Sequence, residues 1–165
     1  MLQQYTFRLA TEVDIPVLGE LARKIWCKWY PAIISQTQID YMLQRMYSPE
    51  SLQKQLIQEH HQFSLVFAGK DLIGYASVST TDEKCYFLHK FYVDTESHQK
   101  GVGTALLTHL EGLHTPEILE LTVNRRNYIA INFYFKNGFT IARVADFDIG
   151  DGYEMNDFVM QKMFV

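Results

Sequence analysis

The chain has little of what would commit it to a special environment. Only 2 of its 165 residues are cysteine, Cys27 and Cys85. Two are too few for a disulfide framework, and no metal-ligand spacing surrounds them. Both are expected to be small buried hydrophobes, and a reducing, cytoplasmic setting suits them. No apolar run approaches the ~20 residues that cross a bilayer, so no membrane partner is expected. The N-terminus lacks a basic segment followed by an apolar one, so no signal peptide is expected. Positive charge is not in excess either. A formal net charge of -4 gives no reason to expect nucleic acid. Neither repeats, low-complexity stretches nor an interdomain linker interrupt the pattern.

A substantial core is what remains. Hydrophobic residues make up 47% of the chain and aromatic residues 14%, which argues for one folded domain over 1–165. Tyr5 to Leu9 alternates like a strand. Thr11 then caps a helix that tolerates Pro16 in its first turn, and Ile15, Leu18, Leu21, Ala22, Ile25, Trp26 and Trp29 recur at helical spacing. Pro31 ends it. Ser35 and Ser48-Pro49 open two further helices. Phe63 to Ala68 and Leu72 to Thr80 read as strands around a Gly69-Lys70-Asp71 turn, and Cys85 to Val93 as a third. A helix over Val102 to Gly112, a strand over Leu119 to Val123 and a helix over Asn127 to Asn137 follow, with Gly138 as its C′ residue. Phe139 to Phe147 and Phe158 to Val165 close the chain as strands joined across an acidic turn. The order predicts a mixed α/β domain.

The run His98-Gln99-Lys100-Gly101-Val102-Gly103-Thr104 carries the strongest chemical signal. It joins the strand ending Phe91-Tyr92-Val93 to a helix. The first turn of a helix leaves N–H groups without intrahelical acceptors, at the positive end of the macrodipole. Glycines let a phosphate approach without a Cβ in the way. Lys100 adds a mobile cation. The spacing alone gives an anion site.

Downstream, Asn127-x-x-Ala130-x-x-Phe133-Tyr134 continues into Lys136-Asn137-Gly138-Phe139. In this order the two motifs resemble the GNAT superfamily of acyl-CoA-dependent N-acetyltransferases. That family's loop reads Arg/Gln-x-x-Gly-x-Gly/Ala; here His98 opens it, with Gln99 adjacent. The resemblance implies a mostly antiparallel mixed sheet, splayed between its fourth and fifth strands and flanked by helices. It implies acetyl-CoA as cosubstrate, with no metal. The pantetheine arm would lie against Phe91, Tyr92 and Val93, and the pyrophosphate on residues 98 to 104. Asn127, Tyr134 and Lys136 would contribute to the cofactor. The Ser48-Pro49-Glu50 helix start and the closing segment Phe147-Asp148-Ile149-Gly150-Asp151, followed by Asp157-Phe158-Val159-Met160, are similar to the small bacterial PaiA-like spermidine/spermine acetyltransferases.

The resemblance implies direct attack by a primary amine in a ternary complex. The acceptor is expected to be small and cationic, such as a polyamine. A protein or peptide acceptor, or an acyl-CoA-binding module without turnover, remain as alternatives. Tyr134 shares a helix face with Asn127 and Ala130, and its phenol is expected to protonate the leaving thiolate. A half-buried core tyrosine is the plainer alternative. His89 is the candidate base, since the sequence lacks the glutamate that many relatives carry in this strand. It could equally be a packing residue. Asn127 could simply cap its helix. The acidic stretch Asp146 to Asp157 is either a lip that concentrates cationic amines or an exposed hairpin. Oligomeric state stays open, with a homodimer common in the family.

Overall fold

The computed structural model describes residues 5–97 and 100–164; His98 and Gln99 of the glycine loop lie outside the described residues. The elements follow the expected order. They are β1 (Tyr5–Leu9), α1 (Ile15–Trp29), α2 (Gln36–Tyr47), α3 (Pro49–Ile57), β2 (Gln62–Ala68), β3 (Asp71–Asp82), β4 (Cys85–Val93), α4 (Val102–His114), β5 (Ile118–Asn124), α5 (Tyr128–Lys136), β6 (Thr140–Gly150) and β7 (Tyr153–Met163). The fold is α/β, with β4 and β5 the parallel pair in an otherwise antiparallel sheet. The chain divides into two compact units, Met1–Ser79 with Lys90–His114, and Thr80–His89 with Thr115–Val165. Strands β3 and β4 contribute to both.

The first unit is layered by the pleat of its strands. Arg8, Leu65 and Tyr75 are register partners in β1, β2 and β3, and so are Phe7, Val66 and Gly74 one residue away. Opposite partners share a face, so the two sets point to opposite sides. Phe7 stacks on His109 of α4, with ring centroids 4.4 Å apart. Tyr75 instead meets Tyr47 of α2 edge-on, and its hydroxyl donates to that of Tyr47 at 2.8 Å. Helices therefore cover both faces. The starts of α2 and α3 match their sequence signals, whereas α1 begins three residues later than expected, with Asp14 and not Thr11 as its N-cap. The Ser35 and Ser48 hydroxyls accept from Gln38 and Ser51 N–H groups. Helix α1 is preceded by a 3-10 turn over Glu12–Asp14, in which the Asp14 carboxylate takes the Thr11 N–H at 2.8 Å and pairs with Arg8.

The second unit holds the first half of β4, then β5, α5 and the β6–β7 ribbon. Parallel pairing of β4 with β5 runs from Cys85↔Ile118 to Leu88↔Leu121. Beyond it β5 continues to Asn124, paired with β7. A pairing that stops after four residues agrees with the expected splay. Strand β7 lies between β5 and β6. Leu119, Leu121, Ile131, Tyr134, Phe139, Val159 and Met160 are buried and form this unit's core.

Two further expectations fail. Cys27 is exposed and Cys85 half-buried, not core. Cys27 lies off the buried stripe of α1, which runs Ile15, Leu18, Leu21, Ala22, Ile25 and Trp26. The acidic turn is also shorter than expected, although the stretch is a hairpin, one of its two expected forms. Most of it is strand, with β6 and β7 paired from Thr140↔Gln161 to Gly150↔Tyr153. The turn is Asp151-Gly152, both at positive φ (53° and 78°), the backbone that a two-residue hairpin of this hand requires.

Candidate active site

In the first unit β4 delivers the chain to the glycine loop. Phe91, Tyr92 and Val93 are all half-buried. Asp94 follows and fixes the exit. Its N–H bonds the Ile73 carbonyl at 2.7 Å, its carboxylate takes Lys24 Nζ of α1 at 2.6 Å, and its other oxygen takes the Glu96 N–H at 3.0 Å. Burial pushes this carboxyl up, but Lys24 and the N–H outweigh it and hold it below its ordinary value. Lys28 reaches Glu96 at 2.9 Å. On the far side of the loop, the Tyr5 hydroxyl donates to the Lys100 carbonyl at 2.6 Å.

Gly101 takes φ +78° with nothing within 4 Å of where a Cβ would stand. Its carbonyl accepts the Ala105 N–H, the first bond of α4. The N–H groups of Val102, Gly103 and Thr104 therefore belong to the turn that has no intrahelical acceptors. Lys100 and Thr104 are exposed. An open left-handed glycine, a helix start and an exposed ammonium fit a pyrophosphate.

In the second unit the Asn127 side chain caps α5, accepting the Ala130 N–H at 3.2 Å. The plainer of its two expected roles is thus realised. Tyr134 is 7% exposed, its ring edge-on to Phe133 and Phe139 at 5.5 and 5.3 Å. Lys136 is exposed. Arg125 pairs with Asp146 at 2.6 Å. His89 is exposed on β4, its ring 4.8 Å from that of Phe87.

Two buried ionisable groups escaped the sequence reading. Lys90, 7% exposed, donates to Gln55 Oε1 and lies over the rings of Tyr47 and Phe63 at 5.4 and 5.6 Å. Burial pulls its ammonium down to about 8, against the attraction of Glu59. Asp157 on β7 is 3% exposed. Burial pushes its carboxyl up to about 6, while the Thr122 hydroxyl and Arg125 pull it down and Asp146 pushes it up. The signal in the sequence was an acid immediately before the apolar run Phe158-Val159-Met160. A further group links aromatic residues of α1, α2, β3 and β4. Trp26 stacks on Tyr30 at 4.3 Å, and the Tyr30 and Tyr92 hydroxyls lie 3.2 Å apart. Trp26 is core, whereas Trp29 is exposed.

The glycine-turned anion cradle at the start of α4 is the kind of site that a phosphate-bearing acyl carrier requires, and the class it points to is an acyl-CoA-dependent transferase. The sequence profile of the Acetyltransferase (GNAT) family matches residues 22–139, and the chain belongs to that family. It is 31% identical over 159 residues to a spermidine N(1)-acetyltransferase of Thermoplasma acidophilum, spanning 92% of each chain. Among solved structures it is similar to the PaiA N-acetyltransferase of T. acidophilum in complex with coenzyme A. That match has TM-score 0.82 and 27% identity, and covers 98% of this chain and 99% of the other. A GCN5-related protein of Rhodopseudomonas palustris shares the fold at TM-score 0.82 and 18% identity, over 99% of both chains. The chain is an N-acetyltransferase with acetyl-CoA as its cosubstrate.

Proposed function

We propose that the chain, acting as one N-acetyltransferase domain over 1–165, acetylates a small cationic amine and that this amine is a polyamine. The observation that carries the reading is the end-to-end similarity to a spermidine N(1)-acetyltransferase. Its setting is the cytoplasm, which suits the free thiols of Cys27 and Cys85. Among the described residues no helix is long and apolar enough to cross a membrane.

Acetyl-CoA supplies the activated acyl group. Residues 98 to 104, with Lys100 and the first-turn N–H groups of α4, hold its pyrophosphate. The backbone of Phe91, Tyr92 and Val93 aligns its pantetheine arm, and a main-chain N–H there polarises the thioester carbonyl. Asn127, as the cap, fixes the start of α5 and so the bearing of Tyr134. Lys136, the exposed last residue of α5, serves the cofactor's phosphates. Tyr134 gives its phenolic proton to the departing thiolate. A polyamine nitrogen is protonated near neutrality, with a pKa like that of lysine, ~10.4, so a base must take its proton before attack. His89, exposed beside Phe87, or a water chain accepts it.

The deciding assay measures kcat/KM with acetyl-CoA over polyamines, aminoglycosides, amino acids and peptides. Spermidine or spermine is expected to exceed every peptide by at least about tenfold, roughly 1.4 kcal/mol of transition-state preference. A peptide preferred over all polyamines overturns the acceptor. Acetyl-CoA binding without transfer to any amine would make the chain a binding module.

A further inference from the structure

The base is better sought on β7 than on β4. Within the second unit, the pairings Phe87↔Glu120, Glu120↔Gln161, Thr122↔Val159 and Asn124↔Asp157 set the pleat. Register partners share a face, and alternate residues of a strand do so too. Phe87, His89, Glu120, Thr122 and Asp157 therefore stand on one side of the sheet. The parallel partner of β5 ends at Leu88↔Leu121, so Thr122 and Asn124 lie on the stretch of β5 beyond it. Asp157 is beside that stretch, opposite Asn124, with the Thr122 hydroxyl donating to it.

Its surroundings are asymmetric. The cation acting on it, Arg125, is already engaged with Asp146 at 2.6 Å. Asp146 also takes the Asn156 amide at 2.9 Å, and Glu120 faces Arg143 at 3.7 Å. A carboxylate buried this deeply, without a dedicated ion pair among the described residues, costs stability and is unlike the fold's structural acids, Asp14 and Asp94, which are each paired.

We propose that Asp157, rather than His89, is the base that takes the proton from the acceptor ammonium. The inference rests on the acetyl-transfer reading above but not on the identity of the amine. Asp157 takes one proton from R-NH3+ and passes it to solvent. The freed nitrogen attacks the thioester carbonyl; the N–C bond forms and the C–S bond breaks. The thiolate takes the Tyr134 proton, and the proton that the new amide nitrogen sheds restores the phenol. The net release is one proton per acetyl transferred.

The test is Asp157→Asn, assayed with whichever amine the wild type turns over fastest. A wrong acceptor then shows in the panel without obscuring the variant. The wild type should lose kcat/KM below about pH 6. The variant should lose that acid limb, with kcat down about 100-fold or more and acetyl-CoA affinity within about threefold. Melting at pH 7 should match or exceed the wild type, because a buried charge has gone; the difference should close toward pH 4. A retained limb, or kcat within about threefold, overturns the proposal, and so does joint loss of acetyl-CoA binding. Should Asn disturb the fold, Asp157→Glu decides, with a displaced limb at reduced kcat expected and loss of the limb overturning it.

Discussion

Tyr134 combines two constraints that pull against each other. Its ring is a core element against Phe133 and Phe139, while its phenol is assigned the thiol proton. Replacement by phenylalanine keeps the ring and removes only the proton. Tyr134→Phe is therefore expected to lower kcat about 100-fold while leaving acetyl-CoA affinity within about threefold and melting nearly unchanged. Steady-state rates beside calorimetric titration check this; an unchanged kcat removes Tyr134 from its role. The residue itself was legible, because Asn127, Ala130 and Tyr134 fall on one helical stripe. Asp157 was not. A carboxylate reads as solvent-facing unless its strand register is known, and that register depends on Asn124, more than thirty residues away.

At the scale of elements, local chemistry wrote most of what the chain shows. Ser35, Ser48, Pro49 and Gly138 sit where capping physics puts them, and helical or alternating periodicity located every helix and strand. The failure came in β6 and β7, whose acids at Asp146, Asp148, Glu154 and Asp157 imitated a turn. Pairing across the ribbon overrides that local preference. The strand-loop-helix element admits a direct test. Gly103→Glu places bulk and negative charge in the first turn of α4, where the first-turn N–H groups would meet phosphate. It is expected to abolish measurable acetyl-CoA binding by calorimetry while thermal melting shows a folded protein. Retained affinity removes the loop from the cofactor site.

For the whole molecule, stability against pH is set by acids of opposite character. The Arg8 guanidinium and the Thr11 N–H hold Asp14 down at about 2, below its unfolded value of ~3.9. That contribution is full above about pH 4 and disappears as pH falls through 2. Asp157, raised to about 6, acts the other way: its cost grows from pH 4 to 6 and is full above. Asp14→Asn is accordingly expected to lower the melting temperature at pH 7, with the gap from wild type closing as pH drops from 4 toward 2. Thermal melts across that range check it, and a gap independent of pH removes the ion pair as its cause. Placement of β7 between β5 and β6, which brings Asp157 beside Thr122, could not be read ahead because strand order follows from non-local pairing and not from any local pattern.

The grip of Lys24 and Lys28 on Asp94 and Glu96 makes helix α1 a strut for the loop assigned to the cofactor. Variants that loosen this strut will raise the apparent KM for acetyl-CoA even when the acceptor is unaffected. A mutant library built in α1 to redirect amine choice will therefore mix two phenotypes under limiting cosubstrate. Scored at saturating acetyl-CoA, the same library would report acceptor preference alone.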